Sequence, residues 1–174
     1  MKGLMGRRTA SDMPGLDIAE QKSWQSFLAA ALRLYAALNR RLMEAHQLSL
    51  ADVRLLHILN ASHDGSARMG DLAGTLTSPP SRVTRQIRRL EERELVRRAT
   101  SPDDRRGVVA TVTDSGRTLV KQAMVTYAHE VRTSFFARLS RSQIAAMEQK
   151  CRGLSVGVKA SESSAKLGRS RLGG

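Results

Sequence analysis

The sequence predicts a mainly α-helical fold carrying one small β-hairpin. Apolar residues recur at three-and-four spacing through most of the 174 residues, and helix-capping residues punctuate them. One pair of β-branched segments brackets a Pro/Asp/Gly loop and supplies the hairpin. Aromatic residues cluster at the two ends: Trp24, Phe27 and Tyr35 early, Tyr127, Phe135 and Phe136 late, none between 36 and 126. The flanks therefore carry large apolar faces that the middle lacks.

The elements follow in order. Trp24, Phe27, Leu28, Ala31, Leu34, Tyr35, Leu38 and Leu42 line one face of a long helix over 19–46. Ser49 stands three residues before Asp52, a capping signature ahead of Val53, Leu56 and Leu59 in a second helix stopped near Gly65. A polar turn at Asp64-Gly65-Ser66 leads to Met69, Leu72, Ala73 and Leu76, a third helix of two turns, too short to be stable alone. Ser78 reads as the cap of a fourth helix with Pro79 at its first position, running to about Arg93. Leu95–Thr100 and Val108–Thr113 form the hairpin around the loop 101–107. Thr113 caps a fifth helix with Leu119, Val120, Ala123, Met124, Tyr127, Val131 and Phe135 on its face. Ser140 and Gln143 form a capping box for a sixth, with Ile144, Met147, Cys151 and Leu154 along one side. The two flanking segments carry aromatic and aliphatic stripes with nothing of their own to cover them, and are expected to bury them against each other or a second subunit. Residues 1–18 and 158–174 have too little apolar surface to offset ordering entropy and are expected to be mobile tails.

Composition narrows the partner. Lys+Arg number 29 against 16 Asp+Glu, a formal charge of +13, which makes a polyanion the first partner to test. No run approaches the roughly 18 apolar residues of a membrane span, and 41% hydrophobic residues argue against disorder of the whole chain. The lone cysteine excludes an intramolecular disulfide framework and a cysteine zinc finger. No charged-then-apolar leader is present, so a cytoplasmic location is the expectation.

On a wheel at about 100° per residue, Val83, Ile87 and Leu90 of the fourth helix fall on one side. Ser81, Thr84, Arg85, Arg88 and Arg89 fall on the other. Between Pro79 and Gly107 there are nine arginines and five acids, the acids mostly past the helix's N-terminal half. Such a helix fits a DNA major groove, where guanidinium donates twice to guanine and short hydroxyls reach phosphates or base edges. A solvated basic face explains the helix taken alone. The order of elements favours DNA: short helix, corner, arginine-faced helix, then a hairpin with arginines at its tip make a winged helix-turn-helix. Ser78, Ser81, Arg82, Thr84, Arg85, Arg88 and Arg89 are the candidate contacts on or before the helix. Asp104, Arg105 and Arg106 are those of the wing, suited to the narrow minor groove, with Asp104 placed to orient Arg106 or to form a plain surface ion pair.

Residues 48–118 resemble the winged helix-turn-helix of the MarR (multiple antibiotic resistance regulator) transcriptional regulators. The resemblance is carried by Ser81-Arg82-Val83-Thr84-Arg85, Leu90-Glu91, Leu95-Val96-Arg97-Arg98, Asp104-Arg105-Arg106 and Val112-Thr113-Asp114-Ser115-Gly116. In layout it extends over 19–157, with 19–47 and 119–157 as dimerisation helices. It implies a homodimer whose fourth helices enter the major groove of an inverted-repeat operator and whose Arg106 wings enter the minor groove. It also implies repression relieved by a small ligand bound between the dimerisation and DNA-binding parts. Glu94 stands where such regulators usually have glycine; a left-handed glutamate there costs about 1–2 kcal/mol. Pro79-Pro80 departs from the pattern and removes N–H donors at the helix entry.

On that layout Trp24, Phe27, Leu28, Tyr35 and His57 are candidate pocket residues; each taken singly reads as ordinary core. The histidines at 46, 57, 63 and 129 have no tight metal-ligand spacing, so no metal is expected. Cys151, on an apolar stripe, is expected to be a buried and inert thiol. No phosphate-cradling glycine loop and no matched nucleophile and base are visible, so neither a cofactor nor an enzyme activity is expected. A ligand-independent architectural or nucleoid-associated DNA binder is the alternative that the charge supports.

Overall fold

The computed structural model describes residues 13–100 and 107–154. The chain divides into two compact units, residues 1–130 and 131–174. The first begins with a 29-residue helix, α1 (Ile18–His46). It starts one residue before the expected 19, with Asp17 as its cap. Asp17 Oδ1 accepts the N–H groups of Ala19 and Glu20 at 2.7 and 2.8 Å, and Glu20 Oε2 accepts the Asp17 N–H at 2.9 Å. This capping box lies before the first periodic apolar residue, where the stripe gives no hint of it. Along α1 only Leu38 and Leu42 are buried, and the helix ends at a left-handed Gln47.

The second helix, α2 (Leu50–Ala61), has the predicted Ser49/Asp52 capping box. Gly65, at φ 77°, then turns the chain into β1 (Ser66–Arg68), a strand the sequence did not reveal. Three residues are too few to display a period of two. Its register is set by β3 (Val108–Val112), against which it pairs antiparallel from Ser66↔Thr111 to Arg68↔Val109. The sheet is completed by β2 (Val96–Thr100) in the order β1-β3-β2, so the predicted hairpin is two strands of a three-stranded sheet. Between them come α3 (Met69–Thr75) and α4 (Pro80–Glu91).

The corner between α3 and α4 differs in detail from the expectation. Ser78 does not cap α4; Pro79 is the flanking residue and Pro80 the first helical one. Ser78 N–H instead donates to Ala73 O at 3.0 Å and Thr77 N–H to Gly74 O at 3.1 Å, closing α3 in a Schellman turn with Thr77 left-handed at φ 50°. A second such turn ends α4. Leu95 N–H donates to Leu90 O at 3.0 Å and Glu94 N–H to Glu91 O at 2.9 Å, and Glu94 takes the left-handed position at φ 57°.

The core sits where α2, α4 and the sheet meet. Leu55, Leu56 and Leu59 of α2 and Val83, Ile87 and Leu90 of α4 are 0% exposed. Burying each such side chain stabilises the fold by about 1.5–3 kcal/mol, and this shared core holds the arginine-bearing face of α4 outward. The fifth helix, α5 (Asp114–Ser134), starts as predicted at Thr113, whose hydroxyl accepts the Gly116 N–H at 3.0 Å and donates to Glu94 O at 2.7 Å. Gly116 permits the close approach of α5 to Leu95, the residue before β2: a Cβ there would lie 2.2 Å from Leu95 O. Val120 and Ala123 bury the next turns.

In the second unit a short 3₁₀ turn, Phe136–Arg138, precedes a helix described over 141–154. The predicted capping box is present, with Ser140 N–H donating to Gln143 Oε1 at 2.8 Å and Gln143 N–H to Ser140 Oγ at 3.3 Å. Cys151 is exposed, not buried, because Ile144 and Met147 on its side of the helix are themselves only half-covered within this chain. The segments 1–12 and 155–174, which contain most of both predicted tails, lie outside the described residues.

Candidate nucleic-acid interface

The face of α4 turned away from the core presents Ser81, Arg82, Thr84, Arg85, Arg88 and Arg89, all exposed, as the wheel required. Their partners separate them. Arg82 and Arg85 have neither a hydrogen bond nor an ion pair from their side chains among the described residues, so both guanidinium groups are available to a ligand. Thr84 Oγ1 donates to Pro80 O at 2.9 Å, which leaves its lone pairs free to accept. Arg88 pairs within its own helix with Glu92 at 3.1 Å; both side chains are well exposed, and such a pair is worth under about 1 kcal/mol. Arg89 is different: its Nη2 lies 2.6 Å from Oδ1 of the buried Asp52. Ser78, half-buried, sits before the helix with its hydroxyl directed at Leu76 O.

The start of α4 is unusual. Pro79 and Pro80 carry no N–H, and the Arg82 and Val83 amides donate to Pro79 O at 2.9 and 3.2 Å. Ser81 therefore supplies the first amide donor at the end that a phosphate would approach.

Beside α4 stands the stem of the wing. Arg98 of β2 is fastened to Glu91 at the end of α4: Nη2 and Nε lie 2.5 and 2.7 Å from Oε2, and the Arg98 N–H donates to Oε1 at 3.1 Å. The side-chain bond from Arg98 is the main reason that the Glu91 carboxyl titrates below the ordinary glutamate value; the backbone bond and the charge of Arg98 add to it, and desolvation opposes. Arg97 is exposed. The wing tip, with Asp104, Arg105 and Arg106, lies outside the described residues. Between α3, α4 and the stem opens a cleft of about 440 Å³ bordered by Arg68, Asp71, Thr84, Arg98 and Val108.

Residues 48–108 match the MarR family. A MarR family transcriptional regulator of Streptomyces coelicolor, Sco3205, solved in complex with DNA, is 30% identical, covers 82% of this chain and 89% of its own, with a TM-score of 0.79. The chain belongs to the MarR family of transcriptional regulators. Bordetella bronchiseptica BpsR, whose DNA binding is regulated by 6-hydroxynicotinic acid, is 25% identical, with 77% of this chain and 98% of its own covered and a TM-score of 0.67. An uncharacterised HTH-type transcriptional regulator of Bacillus subtilis, YhbI, is 34% identical over 92 residues, 53% of this chain and 59% of its own length.

The residues expected to form a MarR-type effector pocket do not border the cleft beside the wing. Trp24, Phe27, Leu28 and Tyr35 lie on the exposed stripe of α1, with the Trp24 and Phe27 rings 5.9 Å apart, and His57 is exposed on α2. No group of three or more His, Cys, Asp or Glu among the described residues is arranged to hold a metal ion.

Three residues of the site were missed by sequence reasoning. Asp52 was read as a helix cap alone, Gln86 was passed over, and Glu91 was read only as part of a family match. A signal for Gln86 existed: it is the polar residue beside Ile87 on the buried side of α4, and a buried amide needs a partner.

Proposed function

We propose that this MarR-family protein is a sequence-specific DNA-binding regulator. It acts as a homodimer that represses from an inverted-repeat operator and is released by a small ligand. The observation that carries the DNA reading is the exposed face of α4, where Arg82 and Arg85 stand without partners beside the Ser81 and Thr84 hydroxyls while Val83, Ile87 and Leu90 fix the opposite side in the core. Arg85 is the base-reading candidate, and Arg82, Arg88 and the wing arginines 105 and 106 are phosphate or minor-groove candidates. The DNA complex of Sco3205 supports this reading.

Association into a dimer is supported by α1, where Trp24, Phe27, Leu28, Leu32 and Tyr35 are 40–61% exposed, an apolar stripe that a soluble monomer rarely presents. The same stripe carries four of the five effector-pocket candidates, Trp24, Phe27, Leu28 and Tyr35, so a pocket there would be completed by the second copy. Ligand control is supported by what BpsR does with 6-hydroxynicotinic acid, and the effector class here is left to a thermal-shift screen. No helix among the described residues is long and apolar enough to cross a membrane.

The test is selection of duplexes from a randomised library by the purified protein, repeated with Arg85→Ala. Enrichment of an inverted repeat with half-site centres about 10 bp apart is expected, and Arg85→Ala should lose preference at about one position per half-site at a cost of about 1–3 kcal/mol. Retention of duplexes with no enrichment at all would favour the architectural reading, which the charge of +13 supports.

A further inference from the structure

One buried carboxylate belongs to two helices. Asp52, at the third position of α2, is 3% exposed. Its Oδ2 accepts the Ser49 N–H at 3.0 Å and the Ser49 hydroxyl at 2.6 Å, and with the Asp52 N–H donating to Ser49 Oγ at 3.1 Å the capping box is complete without Oδ1. Its Oδ1 is committed elsewhere, accepting Gln86 Nε2 at 3.1 Å and Arg89 Nη2 at 2.6 Å from α4. The α2 start is itself tied to α1, because Asn39 Oδ1 accepts the Leu50 N–H at 2.9 Å. Beyond the end of α4, Arg93 Nη1 donates to Gln47 O in the same elbow between α1 and α2 at 2.7 Å.

Gln86 and Arg89 are three residues apart, hence neighbours on one side of α4, so two bonds to one fixed oxygen lock the helix against rotation about its axis. At an outer helix radius of about 5–6 Å, a rotation of about 20° moves a side-chain tip by about 2 Å, enough to break a bidentate contact to a base. We propose that Asp52 is the positioning residue of the DNA-reading helix, holding α4 at the rotation that presents Arg85, and that Arg89 is its anchor and not a DNA contact. The idea rests on the DNA reading above and changes one assignment within it. A packed pair of this kind adds little net stability, since desolvation of the carboxylate opposes the attraction; what it supplies is a defined geometry.

The experiment compares Arg89→Ala, Asp52→Ala and the double variant with wild type, after thermal melts establish folding. Affinity is measured over a salt series for a duplex selected by the wild-type protein and for the unselected library. Each single substitution should lower the selected-over-unselected ratio about tenfold, and the double should be no worse than either. The slope of log affinity against log salt for the unselected library should not change, because no phosphate contact is lost. A slope shallower by about 1 in Arg89→Ala makes Arg89 a phosphate contact and overturns the proposal, as does an unchanged ratio. Arg89 is 54% exposed, so its variant carries the test even where Asp52→Ala does not fold. Wild-type protein that retains neither duplex overturns the DNA reading itself; wild-type binding with an altered Arg89 slope overturns this proposal alone.

Discussion

Replacing Glu94 by glycine should stabilise the protein. Glu94 holds φ 57° at the end of α4, where its Cβ crowds the following carbonyl, a strain of about 1–2 kcal/mol. Its backbone bonds, N–H to Glu91 O at 2.9 Å and O from Thr113 Oγ1 at 2.7 Å, do not depend on the side chain and survive the change. Glycine adds freedom to the unfolded chain and takes back about 0.4–1 kcal/mol, leaving a net gain centred on about 1 kcal/mol. For a chain of this size that is an increase of about 2–4 °C in Tm. Scanning calorimetry at fixed protein concentration reads the shift, fixed because association alone moves Tm. Glu94→Ala is the control: alanine keeps the Cβ and the strain, so it should gain nothing. Equal gains from alanine and glycine would place the cost in the charge of the side chain and refute the backbone argument. No gain from glycine would show that the left-handed turn is not strained.

Gly116→Ala drives a Cβ to 2.2 Å from Leu95 O and 2.9 Å from Val112 Cγ2, so urea unfolding should show a loss of about 1–3 kcal/mol; a neutral result would mean that α5 can shift away from β2. Glu91 titrates below its ordinary value, so its bond to Arg98 contributes fully above about pH 4.3 and is lost as pH falls through the lower folded value. Glu91→Gln should therefore melt lower at neutral pH and lose less stability on acidification than wild type, as followed by circular dichroism from pH 7 to pH 2. Leu32→Glu, on the exposed stripe of α1, should convert a dimer into a monomer by light scattering without unfolding α4; an unchanged mass would move the dimer interface elsewhere.

Where a signal was local, the sequence carried it. Ser49 and Asp52, Thr113 and Gly116, and Ser140 and Gln143 each form a cap from residues three apart, and the stripe Val83, Ile87, Leu90 placed the arginines of α4 on the outer face. What escaped was set by partners far away in the chain. The strand β1 exists because β3, some 43 residues later, offers it a ladder at Ser66↔Thr111, Ala67↔Ala110 and Arg68↔Val109, and nothing within Ser66–Arg68 announces it. For Arg89 a wheel gives direction but not occupancy: the residue is on the outer face as expected, and its partner Asp52 lies 37 residues earlier. The α1 stripe was expected to be buried against the other flank or a second subunit, and among the described residues of one chain it is exposed.

The helix-turn-helix corner makes the same point about strain. Schellman turns close both α3 and α4, and in both the left-handed position that glycine fills without cost is held by a residue with a Cβ, Thr77 and Glu94. Thr77 is β-branched, the least tolerant type at φ 50°. Such conformations persist only where the surroundings over-determine them. Here they do: Val83, Ile87 and Leu90 fix α4 in the core, Pro79 and Pro80 restrict the chain entering it, and Asp52 and Gln47 hold its far side through Gln86, Arg89 and Arg93. The exposed arginine face of α4 is thus set by restraints on its other sides, and a substitution that relaxes either turn should change stability more than the base preference proposed for Arg85.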